Sequence, residues 1–553
     1  MDNALIADNF SLLSKLMDIH GENAFKTRSY SIAAYHIENL DTPLRDTPHE
    51  LIPGIKGLSG SIGQKVIEML DTGKLSVLDE LIASTPPGVI EMLHIKGIGP
   101  KKIHTIWKEM EIETVGELLY ACDENRLTRF KGFGEKTQQN IREGIEYYMQ
   151  NQGHFLFAEM EVFFPQIDGY LRKLFGDEKV AVTGAYRRQD LTLEQLEYIV
   201  LAPAADVKPK FVSAQPPELL EDSTHTLLYK LKNGLKLRLY TGETNMAEAQ
   251  FRHTGSAAFI AAFENRYPQG LPGSKTEEEL FTKAGLPFIP PCLRELPGIV
   301  ELAAGKPLPT LIQPGDIKGI IHSHSTWSDG SNTLGEMARA CMSKGFEYLV
   351  ISDHSKAAAY AKGLSEERIR QQHEEIERLN QQLAPFRIFK SIECDILTDG
   401  SLDYTDDVLA TFDLVIASVH SNLKMTEEKA MMRLIKAVSH PAVTILGHPT
   451  GRLLLSRRGY PVDHRQLIDA CAAHSVVLEI NAHPRRLDLD WQWIPYALEK
   501  NVLLSINPDA HSTEGFDDIR YGVLAAQKGG LEKQFNLSSK SLAEFEAFLK
   551  KKV

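Results

Sequence analysis

Short runs of branched apolar residues recur after residue 316, and each run is followed by a histidine, a carboxylate or an asparagine. The seven runs occupy residues 317–321, 348–351, 389–392, 414–417, 443–446, 476–478 and 502–506. Buried parallel strands read as continuous apolar runs of this kind. Amphipathic stretches at 334–343, 366–382, 427–438 and 465–473 lie between several of the runs and predict crossover helices. The alternation predicts a barrel whose C-terminal strand ends meet at one mouth.

The polar residues that follow these runs are mostly of types that bind metal ions: His322, His324, Asp353, His354, Glu393, His420, His448, Glu479, Asn481, Asp509 and His511. A barrel would gather them at its mouth, although they are distant along the chain. His322 and His324 are alternate residues of one strand, so their side chains point the same way. The pattern predicts a catalytic metal centre.

Residues 1–150 predict a wholly helical region with glycine-marked turns. Three segments, 52–66, 93–103 and 127–141, each place an apolar residue and a glycine hairpin before a helix rich in Lys or Gln. They resemble the helix-hairpin-helix module, in which glycines let backbone N–H groups approach a phosphate near a helix N-terminus. The residues that match best are Gly97, Gly99, Gly132 and Gly134, with Lys96, Lys101, Lys102, Lys131 and Lys136 as phosphate contacts. Three hairpins favour sequence-independent DNA binding over the alternative of glycine-capped turns used only for packing.

Composition indicates a multidomain globular protein. The chain has 553 residues, a formal net charge of −13, and 43% hydrophobic and 24% charged residues. The acidic balance restricts any nucleic-acid contact to local basic patches. Residues 1–10 lack a signal-sequence pattern, no apolar stretch is long enough to cross a bilayer, and the five cysteines are scattered. We expect a cytoplasmic protein with reduced thiols and no membrane partner; the oligomeric state stays open.

Several distinctive phrases follow one another along the chain: GENAFKTRSYSIAAYHIENL, GAYRR, RHTGS, LPFIPPCLRE, HSHSTWSDG, ISDHS, DGSLDY, IASVHS, GHPTGRL and PDAH. In this order they resemble a bacterial family X DNA polymerase with a C-terminal polymerase-and-histidinol-phosphatase (PHP) domain. The resemblance covers essentially the whole chain. It implies a lyase-like helical domain at 1–82, a fingers-like domain at 83–150 and an α/β nucleotidyltransferase-like palm at 151–240. A thumb at 241–305, a linker at 306–315 and a (β/α)7-type PHP barrel at 316–553 would follow.

By this resemblance, the barrel holds three divalent metals with nine ligands. His322, His324 and Asp509 would bind one metal, and Glu393 would bridge to a second metal held by His420 and His448. Asp329, His354 and His511 would hold the third. Mixed imidazole and carboxylate ligation suits zinc, manganese or iron better than calcium or magnesium. Arg452 and Arg486 match family positions that would clamp a phosphodiester.

The palm departs from the family pattern at its chemistry. Two divalent ions need paired aspartates and a third aspartate to support nucleotide transfer. The paired positions hold Gln195 and Glu197, and the later position holds Lys236. Ala185 and Gln189 replace a serine and a glycine of the preceding motif. We therefore expect a palm that keeps its fold and does not polymerise.

Lys65 is the best match to the family's Schiff-base lysine. The alternative, that Lys65 is an ordinary solvated lysine on a helix, has equal weight.

The resemblance implies a metal-dependent phosphodiesterase in DNA repair: a 3′-5′ exonuclease or 3′-end-processing enzyme, with abasic-site incision as a further activity. Three alternatives stay open at this point. The chain would be a PHP phosphomonoesterase acting on a small metabolite, a non-catalytic DNA-binding scaffold, or an active polymerase that uses unconventional ligands.

Overall fold

The computed structural model describes residues 3–38, 40, 42–95, 97–150, 153–211, 216–231, 234–268 and 273–552. The chain folds as two compact units, residues 1–122 with 127–148 and residues 123–126 with 149–553. The first unit contains most of the two predicted helical domains, and the second contains the predicted palm, thumb, linker and barrel together with residues 123–126 and 149–150. All the domain boundaries stay predictions. Among the residues described, no helix is both long and apolar enough to cross a membrane.

The N-terminal region is helical, which confirms the prediction. Its helices are α1 (Asn3–His20), α2 (Ala24–Glu38), α3 (Ser61–Thr72), α4 (Ser76–Ser84), α5 (Pro87–Glu91), α6 (Pro100–Lys108), α7 (Val115–Asp123) and α8 (Glu135–Gln150). Gly97 and Gly132 adopt φ of +94° and +93°, a backbone conformation that strains other residues. Pro100 occupies the first turn of α6, where its missing N–H costs no helix bond. The predicted contact Lys96 lies outside the described residues.

The palm is a mixed sheet with helices against it. Its elements are β1 (Phe155–Leu156), α9 (Phe157–Phe175), β2 (Val180–Thr183), α10 (Gly184–Arg187), β3 (Thr192–Leu193), β4 (Gln195–Val200), α11 (Ala204–Val207), β5 (Glu218–Asp222), β6 (Thr226–Lys230) and β7 (Lys236–Tyr240). The five-stranded sheet has the order β2-β4-β7-β6-β5, and β1 pairs with β3. The first half of β4 alternates between half-buried and buried positions instead of forming a continuous apolar run.

The thumb packs four helices around an aromatic core: α12 (Met246–Thr254), α13 (Ala257–Arg266), α14 (Glu277–Lys283) and α15 (Ile299–Gly305). Asn245 caps α12 by accepting from the backbone of Ala247 and Glu248, and Ser256 caps α13. The fully buried Arg294 pairs with the buried Glu277, with 2.6 Å between Nη1 and Oε1. A buried charge of this kind needs a partner because desolvation disfavours it.

The C-terminal region forms a nearly closed barrel, which confirms the predicted fold class. The strands are β8 (Gly319–Ile320), β9 (Tyr348–Ile351), β10 (Arg387–Asp395), β11 (Leu414–Ser418), β12 (Val443–Leu446), β13 (Val477–Asn481) and β14 (Leu504–Asn507), all parallel and in sequential order. Bridging between Ser323 and Ala510 joins the first strand to the last. The helices are α16 (Leu334–Ser343), α17 (Glu366–Leu383), α18 (Asp406–Leu409), α19 (Glu427–Val438), α20 (His464–His474), α21 (Ile494–Glu499), α22 (Ile519–Lys528) and α23 (Leu542–Lys552).

Helix α22 of the barrel also packs against the palm. Tyr521 and Leu524 contact the apolar core of the palm. At the end of α22, the fully buried Lys528 donates to the backbone oxygen of Arg188 at 2.9 Å, to Asp190 at 2.8 Å and to Glu295 at 2.7 Å. One lysine thus joins the palm, the thumb and the barrel within the second unit.

Candidate metal centre

The barrel places all nine predicted ligands at the C-terminal ends of its strands. Glu393 lies within β10, and the other ligands lie in segments that follow strands: His322, His324, Asp329, His354, His420, His448, Asp509 and His511. Eight of the nine are at most 7% exposed, and His420 is half-buried. Parallel strands of a barrel end at the same rim, so residues far apart in sequence meet there.

The candidate ligand atoms form three overlapping groups. His322, His324 and Asp509, the trio that the family resemblance assigns to one metal, form one group. His324 also joins the predicted trio of Asp329, His354 and His511, so that this group has four members. The third group combines Glu393 and His420 with His354. Within each group, the ligand atoms lie within 4.8 Å of one another.

Glu393 is at the middle of the cluster. Its Oε1 lies 2.9 Å from His448 Nε2, 3.0 Å from His420 Nε2 and 3.3 Å from His322 Nε2. Its Oε2 lies 3.0 Å from His354 Nδ1. His324 Nε2 lies 3.7 Å from Oε2, so five imidazoles surround this carboxylate. Such a position would suit a carboxylate shared between two metal ions.

Unsatisfied buried atoms indicate what this site binds. Among the residues that the structure describes, seven of the nine have a buried nitrogen or oxygen that makes no hydrogen bond of good geometry, although some of these atoms lie close to one another: His322 Nε2, His324 Nδ1, Asp329 Oδ2, His354 Nδ1, Glu393 Oε2, His448 Nδ1 and His511 Nε2. Native proteins rarely bury polar atoms without partners. Imidazole nitrogens and carboxylate oxygens are ligands of zinc, manganese and iron, so the donor set fits such ions.

The electrostatics of the cluster also favour cations. Burial disfavours a charged His322, but Asp509, Glu479 and Glu393 outweigh burial and hold the pKa of His322 well above its usual value. Burial likewise opposes ionisation of Glu393, yet His420 and His322 hold the pKa of Glu393 well below its usual value. Burial lowers the pKa of His324 to about 3, so this imidazole is neutral and able to bind a metal.

Comparison with known proteins gives the family. A helix-hairpin-helix domain model matches residues 1–75, and a SAM-like helix-hairpin-helix tandem model matches residues 89–146. A relative from Bacillus subtilis (strain 168), described as "DNA polymerase/3'-5' exonuclease PolX", is 34% identical over 573 aligned positions, covering 97% of each chain. This chain belongs to the bacterial family X DNA polymerases with a PHP domain.

Two shorter relatives match only part of this family X chain, and both are described as probable phosphatases. The protein from Thermoanaerobacter sp. (strain X514) is 23% identical over 242 residues, covering 42% of this chain and 94% of the relative. The protein from Caldanaerobacter subterraneus subsp. tengcongensis is 26% identical over 165 residues, covering 29% and 60%. The similarity to phosphatases lies in the PHP part of the chain.

A second layer of polar residues surrounds the PHP ligands. Asp395 Oδ1 lies 3.2 Å from His420 Nδ1, and Asn481 Nδ2 donates to Asp509 Oδ2 at 2.9 Å. Glu479 contacts His322 and the backbone of His448. The sequence places Glu479 and Asn481 at a strand end but gives them no role, and it misses Asp395. Asp395 lies two residues after Glu393 on the same strand, so strand alternation was the signal that could have found it.

The two predicted phosphate-binding arginines have different surroundings. Arg486 is 6% exposed, and its Nε lies 3.9 Å from Asp509 Oδ2, beside the ligand cluster. Arg452 donates from Nε to the backbone oxygen of Arg486 at 3.0 Å, and its other nitrogens donate to Leu487 and Asp490. The guanidinium of Arg452 therefore holds the segment that carries Arg486.

His483 lies in the turn that follows β13. Its Nδ1 accepts from the backbone of Arg485 at 3.2 Å, and its own backbone N–H donates to Asn481. Burial, together with Arg485 and Arg486, lowers the pKa of His483 to about 3. These contacts make His483 part of the turn after β13.

The palm of this family X chain brings Gln195, Glu197 and Lys236 onto one face of the sheet. Gln195 is paired with Lys236 in the ladder between β4 and β7. Glu197 accepts from the backbone of Ala185 at 3.2 Å and from the hydroxyl of Tyr240 at 2.7 Å. The predicted positions therefore present one acid, already hydrogen-bonded, beside a lysine.

Two further acids of the palm, Glu194 and Asp190, contact lysines. Glu194 is exposed, and its carboxylate lies 4.0 Å from Lys236 Nζ. Asp190 binds Lys528, as described above. Arg187 and Arg188 bind Thr254, Glu277 and Asp190 instead of facing solvent.

The hairpin residues are accessible in the first unit. Gly97, Gly99, Gly132 and Gly134 are exposed, and a Cβ added at any of them would contact nothing within 4 Å. Lys101, Lys131 and Lys136 are exposed, whereas Lys102 is half-buried and donates to Gly97 at 3.3 Å. The half-buried Lys65 lies on α3, three residues before Glu68.

Proposed function

We propose that this chain is a metal-dependent phosphodiesterase that removes nucleotides or blocked ends from DNA 3′ termini. The observation that carries the proposal is the cluster of nine candidate ligands, eight of them buried, with seven nitrogen or oxygen atoms that accept or donate no hydrogen bond among the described residues. Divalent metals at such a site activate water for attack on phosphorus and stabilise charge on the leaving oxygen. The B. subtilis relative is named as a 3′-5′ exonuclease, which supports DNA as the substrate.

The residues of the chain would share the work as follows. Glu393 and the imidazoles around it hold the ions, and Arg486 contributes a positive charge beside Asp509 for a substrate phosphate. Arg452 keeps the segment with Arg486 in place. The exposed glycines and lysines of the hairpins bind the DNA backbone without reading its sequence.

The test is a metal screen with manganese, zinc and iron on 3′-recessed, single-stranded and abasic DNA. We expect metal-dependent release of nucleotides from 3′ ends, and its loss in His324→Ala. His440→Ala is the matched control, because His440 belongs to the same barrel but contacts Asp406 away from the ligands. Equal degradation by wild type and His324→Ala would expose a contaminating nuclease or a structural metal site, and would refute the proposal.

We further propose that the palm does not synthesise DNA. Two-metal nucleotide transfer needs converging carboxylates, and Glu197 is the one acid among the three predicted positions. Primer extension with magnesium or manganese should give no product. Incorporation of dNTPs that disappears in Glu197→Ala would overturn this part of the proposal and establish an active polymerase with unconventional ligands.

The relatives described as phosphatases favour a second candidate, a phosphomonoesterase acting on a small metabolite. It shares the metals but has no use for the helix-hairpin-helix segments. Hydrolysis of p-nitrophenyl phosphate or histidinol phosphate far faster than of 5′-labelled single-stranded DNA would support it.

For the lyase hypothesis, borohydride trapping on abasic DNA should give an adduct that Lys65→Ala abolishes; an adduct unchanged in that variant would exclude Lys65.

A further inference from the structure

Glu479 lies at the C-terminal end of β13 and is completely buried. Its Oε1 lies 2.6 Å from His322 Nδ1 and accepts from Asn507 Nδ2 at 2.8 Å. Its Oε2 accepts from the backbone N–H of His448 at 2.6 Å. The carboxylate therefore contacts two of the predicted ligands, which follow different strands.

The contact with His322 determines which nitrogen of the imidazole can bind a metal. When Nδ1 carries the proton and donates it to Glu479, Nε2 has a free lone pair. That Nε2 lies 3.3 Å from Glu393 and 3.4 Å from Asp509 and has no hydrogen-bond partner. The opposite tautomer would leave a buried carboxylate facing a lone pair, which is unfavourable.

The contact with His448 acts on the backbone. His322 and His448 have φ of +64° and +20°, in a range that non-glycine residues rarely adopt. The hydrogen bond from the His448 N–H fixes this unusual turn after β12. It directs His448 Nε2 to within 2.9 Å of Glu393 Oε1.

We propose that Glu479 is a positioning residue that prepares two metal ligands at once: it selects the Nε2-binding tautomer of His322 and holds the backbone of His448. This inference rests on the proposed metal-dependent function. A carboxylate behind a ligating imidazole raises its basicity and fixes its orientation, and loss of such a group typically weakens metal binding by about 10- to 100-fold.

The experiment is calorimetric titration of metal-free full-length protein with manganese alone, so its readout is independent of nuclease activity. Glu479→Gln keeps the size of the side chain, but its amide has one oxygen for three donors. We expect it to bind manganese about 10- to 100-fold more weakly than wild type. Glu277→Gln is the control, because Glu277 is a buried carboxylate that pairs with Arg187 and Arg294. It should lower stability but leave the affinity for manganese unchanged.

The outcomes separate this inference from the proposed function. Wild-type protein that binds no manganese, zinc or iron would refute both. Tight binding by wild type and equally tight binding by Glu479→Gln would refute the positioning role alone. If Glu479→Gln does not fold, ¹⁵N-histidine spectra of zinc-loaded wild type decide the question. His322, assigned by comparison with His322→Gln, should be protonated at Nδ1 and bind through Nε2; binding through Nδ1 would overturn the inference.

Discussion

Replacing Lys528 with methionine should destabilise the second unit strongly. The ammonium group is fully buried and donates to Asp190, Glu295 and the backbone of Arg188 within 2.7–2.9 Å. Methionine fills similar space but leaves the half-buried carboxylates of Asp190 and Glu295 with Arg188 as their charged partner among the residues described. Removing one partner from a buried ionic network costs about 3–5 kcal/mol. We therefore expect the free energy of unfolding of this unit to fall by ~3–5 kcal/mol.

Urea unfolding followed by tryptophan fluorescence measures this change, since Trp491 lies 5.0 Å from the Lys528 ammonium. The matched variant combines Lys528→Met with Asp190→Asn and Glu295→Gln. It should recover most of the lost stability, because neutral groups carry a smaller desolvation penalty. The reasoning would be refuted if Lys528→Met lost less than about 1 kcal/mol, the range of an exposed ion pair, or if the triple variant were as unstable as the single one.

Four further predictions concern the candidate metal centre and the ion pair of Glu277 in the thumb. Glu393→Gln should lower exonuclease kcat by at least ~100-fold, because even residues behind metal ligands cost up to that factor; single-turnover assays measure it. A chelator should lower the melting temperature in calorimetry, since an ion that binds the native state stabilises it; an unchanged value would contradict a resident metal. Arg486→Gln should raise the KM for DNA. Arg452→Gln should raise it too, because it releases the segment that carries Arg486. A KM equal to that of wild type in both variants would argue against both roles. Burial opposes ionisation of Glu277, but Arg294 and Arg187 together outweigh burial and lower the pKa of this carboxyl. The stability that the ionised Glu277 contributes is therefore complete above its unfolded-state pKa and is lost as the pH falls through its folded-state pKa. Glu277→Gln should therefore cost about 3–5 kcal/mol at pH 7, and this difference should shrink in unfolding measured in acid.

The barrel was largely predictable because its strands are buried on both faces. The strands at 348–351 and 443–446 and the helices at 334–343 and 427–438 have the predicted bounds. β10 instead runs from Arg387 to Asp395, since polar residues at both ends continue the ladder beyond the apolar run. The grouping of the ligand atoms was less predictable, because it depends on side-chain rotation: His324 and His354 each join two groups.

The surroundings of the centre were the least predictable part. Arg452 resembles a phosphate clamp in sequence, yet three acceptors around its guanidinium engage it in the structure. Such partners come from a loop more than 30 residues away, and no local pattern reveals them. In the palm, likewise, a search for continuous apolar runs does not find the first half of β4, because Gln195 and Glu197 occupy half-buried positions there.

The packing of α22 has a consequence for how this protein can evolve. If the barrel were separated at 306–315, Tyr521 and Leu524 would lose their apolar cover and become a patch prone to aggregation. A lineage with no further need of nucleotide synthesis would therefore either retain the palm or replace these apolar residues of α22 with polar ones. Inheritance of such a region would then reflect the demands of folding, and its persistence in a genome would say nothing about whether it still copies DNA.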